Sequence, residues 1–539
     1  MDHCKYDERD DKRCGDLNAD RKVFPSDQQC RAPVHAAEHT RPRYRGRMNE
    51  TASWATACEW MGTLADLQGA SAVLEWDRET IMPSGAAEAR GAQLSTLAGL
   101  HHRALLDPSV GDALEQLRES GDPVRAASAH EGQRERSRAE RVPEALVREL
   151  TEVSSRSVAI WTDARERGDV SAFVEGIRPL VALTREQATC LASGGDPYDA
   201  LIDLYEPGTT YADLQPVLDD LAARVAPLVE RLAGAGGPAL PDREWDGDRQ
   251  MALASALADK IGFDQSRGLV GRTAHPVTMG LGAGDTRLST RVDVADPLSS
   301  IMAVMHEGGH ALYDQGIPEA WRRTLAGDAP SLGAHESQSR FWENHIGRSR
   351  AFWEVVAPML SERFPLSSAG LGPDDYIRAL NRVERTSRRV ESDEVTYDLH
   401  IVLRARLERS MILGDLDVTD LPGAFDEGLH DLLGISPASP SEGAMQDIHW
   451  AAGIIGYFPT YTLGNLYAAQ LADAAERAVG PIDEVIRAQG MAPFLGFLRE
   501  TIHCHGRTMS TPDLMRQATG SGLSAEPFVR HLERTYAPH

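Results

Sequence analysis

Long apolar runs are missing from this chain of 539 residues. None approaches the roughly 18–20 residues that a membrane-crossing helix needs, so a spanning segment is excluded. The N-terminal region mixes acids and bases throughout and has no apolar stretch of the kind a secretory signal requires. Cysteine is scarce, at six, and no two stand as a CxxC pair. That argues against a disulfide framework and makes a reducing cytoplasm the expected location. Positive charge is also in short supply: 56 Lys and Arg stand against 81 Asp and Glu, a net charge of −25. Such acidity argues against a general nucleic-acid binder and against attachment to anionic membranes.

What is present is an ordinary globular composition, 42% hydrophobic and 25% charged. The length exceeds one simple core. Residues 1–47 are rich in Asp, Arg and Lys and nearly without apolar periodicity, and they read as a disordered or mis-assigned extension. From Met48 onward the pattern is mostly helical. Leu218, Leu221, Val225, Leu228 and Leu232 recur at the three- and four-residue spacing of an amphipathic helix. A cluster of glycine and proline from Gly234 to Pro241 marks a boundary. The expected division is a helical part over 48–235 and a second helical part over 236–539. Alternating strands are rare. The exception is HPVTMGLGAGDTRLSTRVD, His275 to Asp293, which reads as a short hairpin.

The stretch VMHEGGHALYDQG, Val304 to Gly316, carries the chemistry. Asp296 and Pro297 suit the start of a helix and Gly316 its end. Leu298, Ile301, Met302, Met305 and Leu312 supply an apolar face. His306 and His310 then lie one turn apart on one side, as two imidazoles must to share a tetrahedral zinc. Glu307 falls beside the metal, where it can take a proton from an attacking water. Two mid-helix glycines, Gly308 and Gly309, cost about 1 kcal/mol each relative to alanine, which a helix accepts when something approaches its backbone closely. The HExxH string also arises by chance, but the caps and the apolar setting weigh against that. A third ligand is required. The metzincin arrangement is excluded, because Tyr313 and Gly316 stand where it needs glycine and histidine. A second helix opening at Ser331 offers His335, Glu336, Glu343 and His345, and spacing makes Glu336 only the best of these.

HEGGHALYDQG followed by HESQSRFWEN resembles the carboxypeptidase Taq family of zinc metallopeptidases. EWDRETIMP and PYDALIDLYEPG before it, and GAMQDIHW and GYFPTYTLGN after it, fall in the family's order, and the resemblance runs from about Met48 to the C-terminus. It implies an all-α fold with a deep groove and a small β-sheet beside the active site, and a homodimer. It implies Glu336 as third ligand and Glu307 as general base. It also implies release of single residues from peptide C-termini, with broad tolerance and poor action on C-terminal proline. One Zn²⁺ per subunit is implied, and Co²⁺ can substitute. The family's HPF element stands here as His275, Pro276, Val277. Its DxRxT element stands as Asp285, Arg287, Ser289. Its [IV]RxxAD element keeps Arg389 and Asp393 but has Arg388 and Ser392 at the other two places. These departures bear on pocket shape and substrate preference.

Catalysis also needs a donor for the oxyanion, and His449, Tyr457 and Tyr461 are the candidates. A planar arginine suits the substrate's terminal carboxylate. Arg389 is the first choice and Arg287 the runner-up, though Arg287 is more expected to order the hairpin through a pair with Asp285; His275, Asp285 and Tyr461 are the other expected substrate-binding residues. The hairpin itself can present an edge to the substrate backbone. IHCHG, Ile502 to Gly506, is not read as a second metal site. One rival reading is a helical zinc oligopeptidase or dipeptidyl carboxypeptidase. A rival of another class is an inactive helical scaffold with structural zinc.

Overall fold

Aspartate opens many of the helices and glycine closes many, which is where part of the acidic excess is used. Asp122, Asp169, Asp196, Asp246, Asp296 and Asp393 accept backbone N–H bonds from the first turns of the helices that follow them. The computed structural model describes residues 46–234 and 239–536, with side chains from Glu50 onward. The reading of residues 1–47 therefore lies outside the described residues, apart from Gly46 and Arg47, which begin the helix Gly46–Thr80. Residues 235–238, at the boundary drawn near 235, lie outside as well.

The fold is mostly helical with one small sheet, as the sequence implies. The sheet holds β1 (Gly268–Arg272), β2 (Thr278–Gly282) and β3 (Asp285–Thr290) in the order β1-β3-β2. The antiparallel pair β2–β3 is the expected hairpin. The parallel strand β1 on the other side of β3 was not anticipated. Two glycines in five residues weaken its strand signal. They are there because neighbours come close: a Cβ on Gly268 would meet the Thr286 carbonyl oxygen at 2.0 Å, and one on Gly271 would meet the Trp76 ring at 2.8 Å. Trp76 belongs to the helix Gly46–Thr80, which also presses on β2, since a Cβ on Gly69 would lie 2.6 Å from the Leu281 carbonyl oxygen.

One large apolar core runs from Ala164 to Tyr536, and a smaller cluster from Ala57 to Ala129 fills the N-terminal part. The HExxH helix, Pro297–Gly316, lies in the large core, and Leu298, Ile301, Met302, Met305 and Leu312 are buried as expected. Its start is tied to β3 by the Thr290 hydroxyl, which donates to the Ser300 carbonyl at 3.0 Å. Gly308 and Gly309 answer to different neighbours. A Cβ on Gly308 would meet Ile261 at 2.4 Å. One on Gly309 would meet the Gln338 carbonyl oxygen at 2.5 Å and Ser339 Cα at 2.6 Å. Those atoms belong to the second motif helix, Leu332–Arg340, which Ser331 caps through Ala334 N–H. The two helices thus touch backbone to backbone at Gly309.

Gly309→Ala is expected to cost about 1–3 kcal/mol, because backbone rather than a side chain must move to admit the methyl group. It is also expected to lower metal uptake by displacing Leu332–Arg340. Thermal unfolding and metal content of the purified variant check both outcomes.

Candidate metal centre

The contact at Gly309 brings three donors from two helices together. His306, His310 and Glu336 each direct one ligand atom to a common point, and these atoms lie within 4.8 Å of one another. Glu336 Oε2 is 3.3 Å from His310 Nε2 and 3.8 Å from His306 Nε2. The imidazoles stand at 82° to each other with centroids 5.0 Å apart. A third helix, Pro459–Val479, backs the carboxylate: a Cβ on Gly464 would meet Glu336 Cγ at 2.3 Å. Two imidazole nitrogens and one carboxylate oxygen, with no thiolate, form the donor set of a catalytic rather than a structural zinc site.

The hydrogen bonds around the ligands agree with that assignment. His306 Nδ1 donates to Glu343 Oε2 at 2.8 Å, which turns its Nε2 lone pair toward the other donors. His310 is held neutral, as a ligand must be: burial, aided by the stacked His335, lowers its pKa to about 4. His306 behaves otherwise without a cation. Burial pulls it down, but Glu336 and the hydrogen-bonded Glu343 outweigh burial and take it to about 9. A bound cation would compete directly with that proton. Glu336 and Glu343 are both kept ionised despite burial, chiefly by Arg340.

Glu307 follows the first histidine and is buried against β2. Thr278 of β2 donates its hydroxyl to Glu307 Oε2 and is also 2.8 Å from the Glu307 carbonyl. Burial raises the Glu307 pKa, so the group is poised to accept and return a proton. Thr278 also lines a cleft of about 560 Å³, together with Gly280 and Gly282 of β2, Tyr205, and Ser331 and His335 at the helix that carries Glu336. The outer edge of the hairpin therefore faces the cleft.

The remaining predicted residues divide. His449 Nε2 is 3.3 Å from Tyr461 Oη, and the Tyr457 and Tyr461 rings are 5.2 Å apart. Tyr461 lies three residues before Gly464, on the helix face that backs Glu336. His449 is kept neutral, its pKa lowered to about 4 by burial against the opposing pull of Asp447, with Arg389 and Arg404 adding to the lowering. Arg389 belongs to this group but is not the open fork expected of it. It is 7% exposed; its Nε and Nη2 donate to Asp447 Oδ1, and its Nη1 donates to Tyr397 Oη. Those three bonds leave two of its five N–H groups for a ligand. Arg287 is paired with Asp285 at 2.9 and 2.8 Å, ordering β3, and lies over Trp76. Ser289 Oγ takes the Val277 N–H at 2.9 Å, so the serine that stands for threonine retains its bond. His275 is exposed, and its carbonyl accepts from Thr273. Asp393 caps the helix Glu394–Leu413. His503 of the IHCHG stretch is buried against Gln338, away from any metal cluster among the described residues.

Sequence reasoning missed Arg340, Thr278 and Asp447, and considered Glu343 as a possible ligand rather than as the partner of His306. Arg340, four residues after Glu336, shares its helix face, which was an available signal. Thr278 and Asp447 reach the site from other elements, and no spacing announces them.

The family of carboxypeptidase Taq (M32) metallopeptidases matches residues 58–536. A thermostable carboxypeptidase 1 of Thermus thermophilus is 38% identical over 507 residues, covering 91% of this chain and 99% of the relative. The solved M32 carboxypeptidase of Deinococcus radiodurans superposes with a TM-score of 0.87 at 36% identity, over 90% of this chain and 99% of that one. A carboxypeptidase structure from Pyrococcus furiosus gives 0.86 at 33% identity, over 90% and 99%.

Two buried carboxylates without a cation of their own hold the site's supports. Glu206 accepts from Gly333 N–H at 2.6 Å and Thr460 Oγ at 2.8 Å, joining the ligand helix to the helix behind it. Glu408 accepts from Trp450 Nε1, Gly456 N–H and Tyr198 Oη, bracing the loop that carries His449. Burial raises the Glu408 pKa from 4.5 to about 7. The folded chain therefore keeps a proton that the unfolded chain releases near pH 4.5. This contribution to stability is complete below that pH and is lost as pH rises through about 7. Unfolding free energy should fall by on the order of 1–3 kcal/mol across that window. In Glu408→Gln the slope should flatten, whatever the variant's baseline, and denaturant unfolding at a series of pH values reads it.

Proposed function

The chain belongs to the carboxypeptidase Taq (M32) metallopeptidase family, and from that premise we propose that it releases single residues from peptide C-termini, using one zinc ion per subunit. The observation that carries this reading is the convergence of His306, His310 and Glu336 on one point, with Glu307 next in sequence to the first and held by Thr278, a residue that lines the cleft. Bound there, zinc supplies a Lewis acid that makes water a usable nucleophile near neutral pH and polarises the scissile carbonyl. Co²⁺, with similar ligand preferences, is expected to replace it.

The chain's own groups do the rest. Glu307, steadied by Thr278, takes a proton from the attacking water and delivers it to the leaving amine nitrogen. His449 and Tyr457, with Tyr461 next to them, provide donors for the oxyanion. Arg389 remains the receptor for the terminal carboxylate, through the N–H groups that Asp447 and Tyr397 leave. The aromatic rings of Phe458 and Tyr461 lie within 5.7 and 5.2 Å of its guanidinium and exclude water around it. Asp285, Arg287 and His275 shape the hairpin, whose edge lines the cleft where the rest of the peptide would run. Broad side-chain tolerance and weak action on C-terminal proline belong to this reading, as do assembly as a homodimer, a cytoplasmic location and the division of the helical body near residue 235.

Glu307→Gln should keep its metal and lose turnover by at least about 100-fold, the lower range for a general base; turnover like the parent's would overturn the mechanism. His310→Ala should lose both metal and activity. One synthetic peptide, digested and weighed over time, is expected to give a ladder shortened by one C-terminal residue at each step. Dipeptide or internal fragments would instead support the oligopeptidase reading, and no cleavage by a metal-loaded sample would support the inactive scaffold.

A further inference from the structure

A cationic side chain in contact with a metal ligand is an expensive neighbour. It repels the incoming cation and draws electron density from the ligand. Arg340 is such a neighbour: its Nε donates to Glu336 Oε1 at 2.7 Å, and its Nη1 reaches Glu343 Oε2 at 3.3 Å. Its guanidinium lies 5.1 Å from the Tyr397 ring, and its side chain is only 16% exposed, so it has little freedom to leave. The bond divides the two oxygens of Glu336. Oε1 belongs to Arg340, and Oε2 faces His306 and His310. Ser339 Oγ, at 3.1 Å from Oε2, adds a second constraint on the carboxylate's orientation. Through Glu343 the same guanidinium also steadies the acceptor that orients His306.

We infer that Arg340 is a positioning residue that restricts Glu336 to a single ligand oxygen. This rests on the metal site proposed above. A glutamate free to turn both oxygens toward a cation chelates it, tightening the grip while occupying the position that a catalytic site keeps open for water. Arg340 blocks that second contact at some cost in affinity. The ordinary alternative is that Arg340 only neutralises two buried carboxylates and supports the ligands. The two roles predict opposite changes in metal affinity. Loss of an ordinary outer partner weakens binding by about 10–100-fold. Loss of a group that restrains and repels should strengthen it.

The test compares the parent with Arg340→Met, measuring the zinc dissociation constant by competition with a chromophoric chelator, the visible absorbance of the cobalt(II) form, and kcat and KM on one peptide. The expected result is zinc bound at least about tenfold more tightly, the lower end of what such outer partners are worth. The cobalt band should be weaker, as befits five ligands rather than four, and kcat should fall with KM nearly unchanged. If Arg340→Met does not fold, Arg340→Gln, which has no charge, is read the same way against the parent: tighter zinc and a weaker cobalt band. Weaker zinc binding, or a cobalt band as strong as the parent's, would overturn the inference while leaving the proposed function standing. A parent protein that binds no metal at all would overturn the function beneath it.

Discussion

The approach of two helices at Gly309 is the constraint on which the rest of the molecule depends. A catalytic metal needs donors on more than one element, because the single face of one helix supplies only the pair at positions 306 and 310. The third donor has to come from a neighbour whose axis lies unusually close, and only a missing Cβ permits backbone contact at about 2.5 Å from where it would stand. The same device is repeated at Gly464, which lets a third helix press on Glu336 from behind. Each glycine costs helix stability locally and is retained because the distance between donors is set there.

Around this contact the buried charges form a graded arrangement rather than isolated pairs. Arg340 joins Glu336 and Glu343, and Glu343 joins His306. Across the Tyr397 ring a second group, Arg389, Arg404 and Asp447, sets two guanidinium ions against one carboxylate. The first group surrounds a place suited to a cation. The second is cationic by one unit. Tyr397 lies between the two groups, its ring 5.1 Å from the Arg340 guanidinium and 5.8 Å from that of Arg389, and charges in such a low-dielectric setting act on one another more strongly than in water.

The small sheet and the helix Gly46–Thr80 shape the cleft. Gly69 lets that helix sit on Leu281, and Trp76 covers Gly271 and the Arg287–Asp285 pair. These contacts explain why so short a sheet survives in a helical protein: its faces are packed, and one outer edge borders the space where substrate would lie.

Sequence alone determined whatever depends on neighbours a few positions away. The helical character, the aspartate and serine caps, the pairing of His306 with His310, the adjacent Glu307 and the β2–β3 hairpin all follow from local periodicity and capping, which act within one or two turns. It also reached Glu336, but only through the resemblance, since four side chains on that helix were compatible with spacing. Tertiary structure decided the remainder. It selected Glu336 over His335, Glu343 and His345 by facing one helix against another at Gly309, and it gave Glu343 to His306. It added β1, whose glycines hide a strand until Thr286 and Trp76 stand beside them. It also closed three N–H groups of Arg389 on Asp447 and Tyr397. The reason is the same in each case: a ligand, a second-strand partner or a salt bridge joins residues distant along the chain, and such contacts leave no period in the sequence from which to read them.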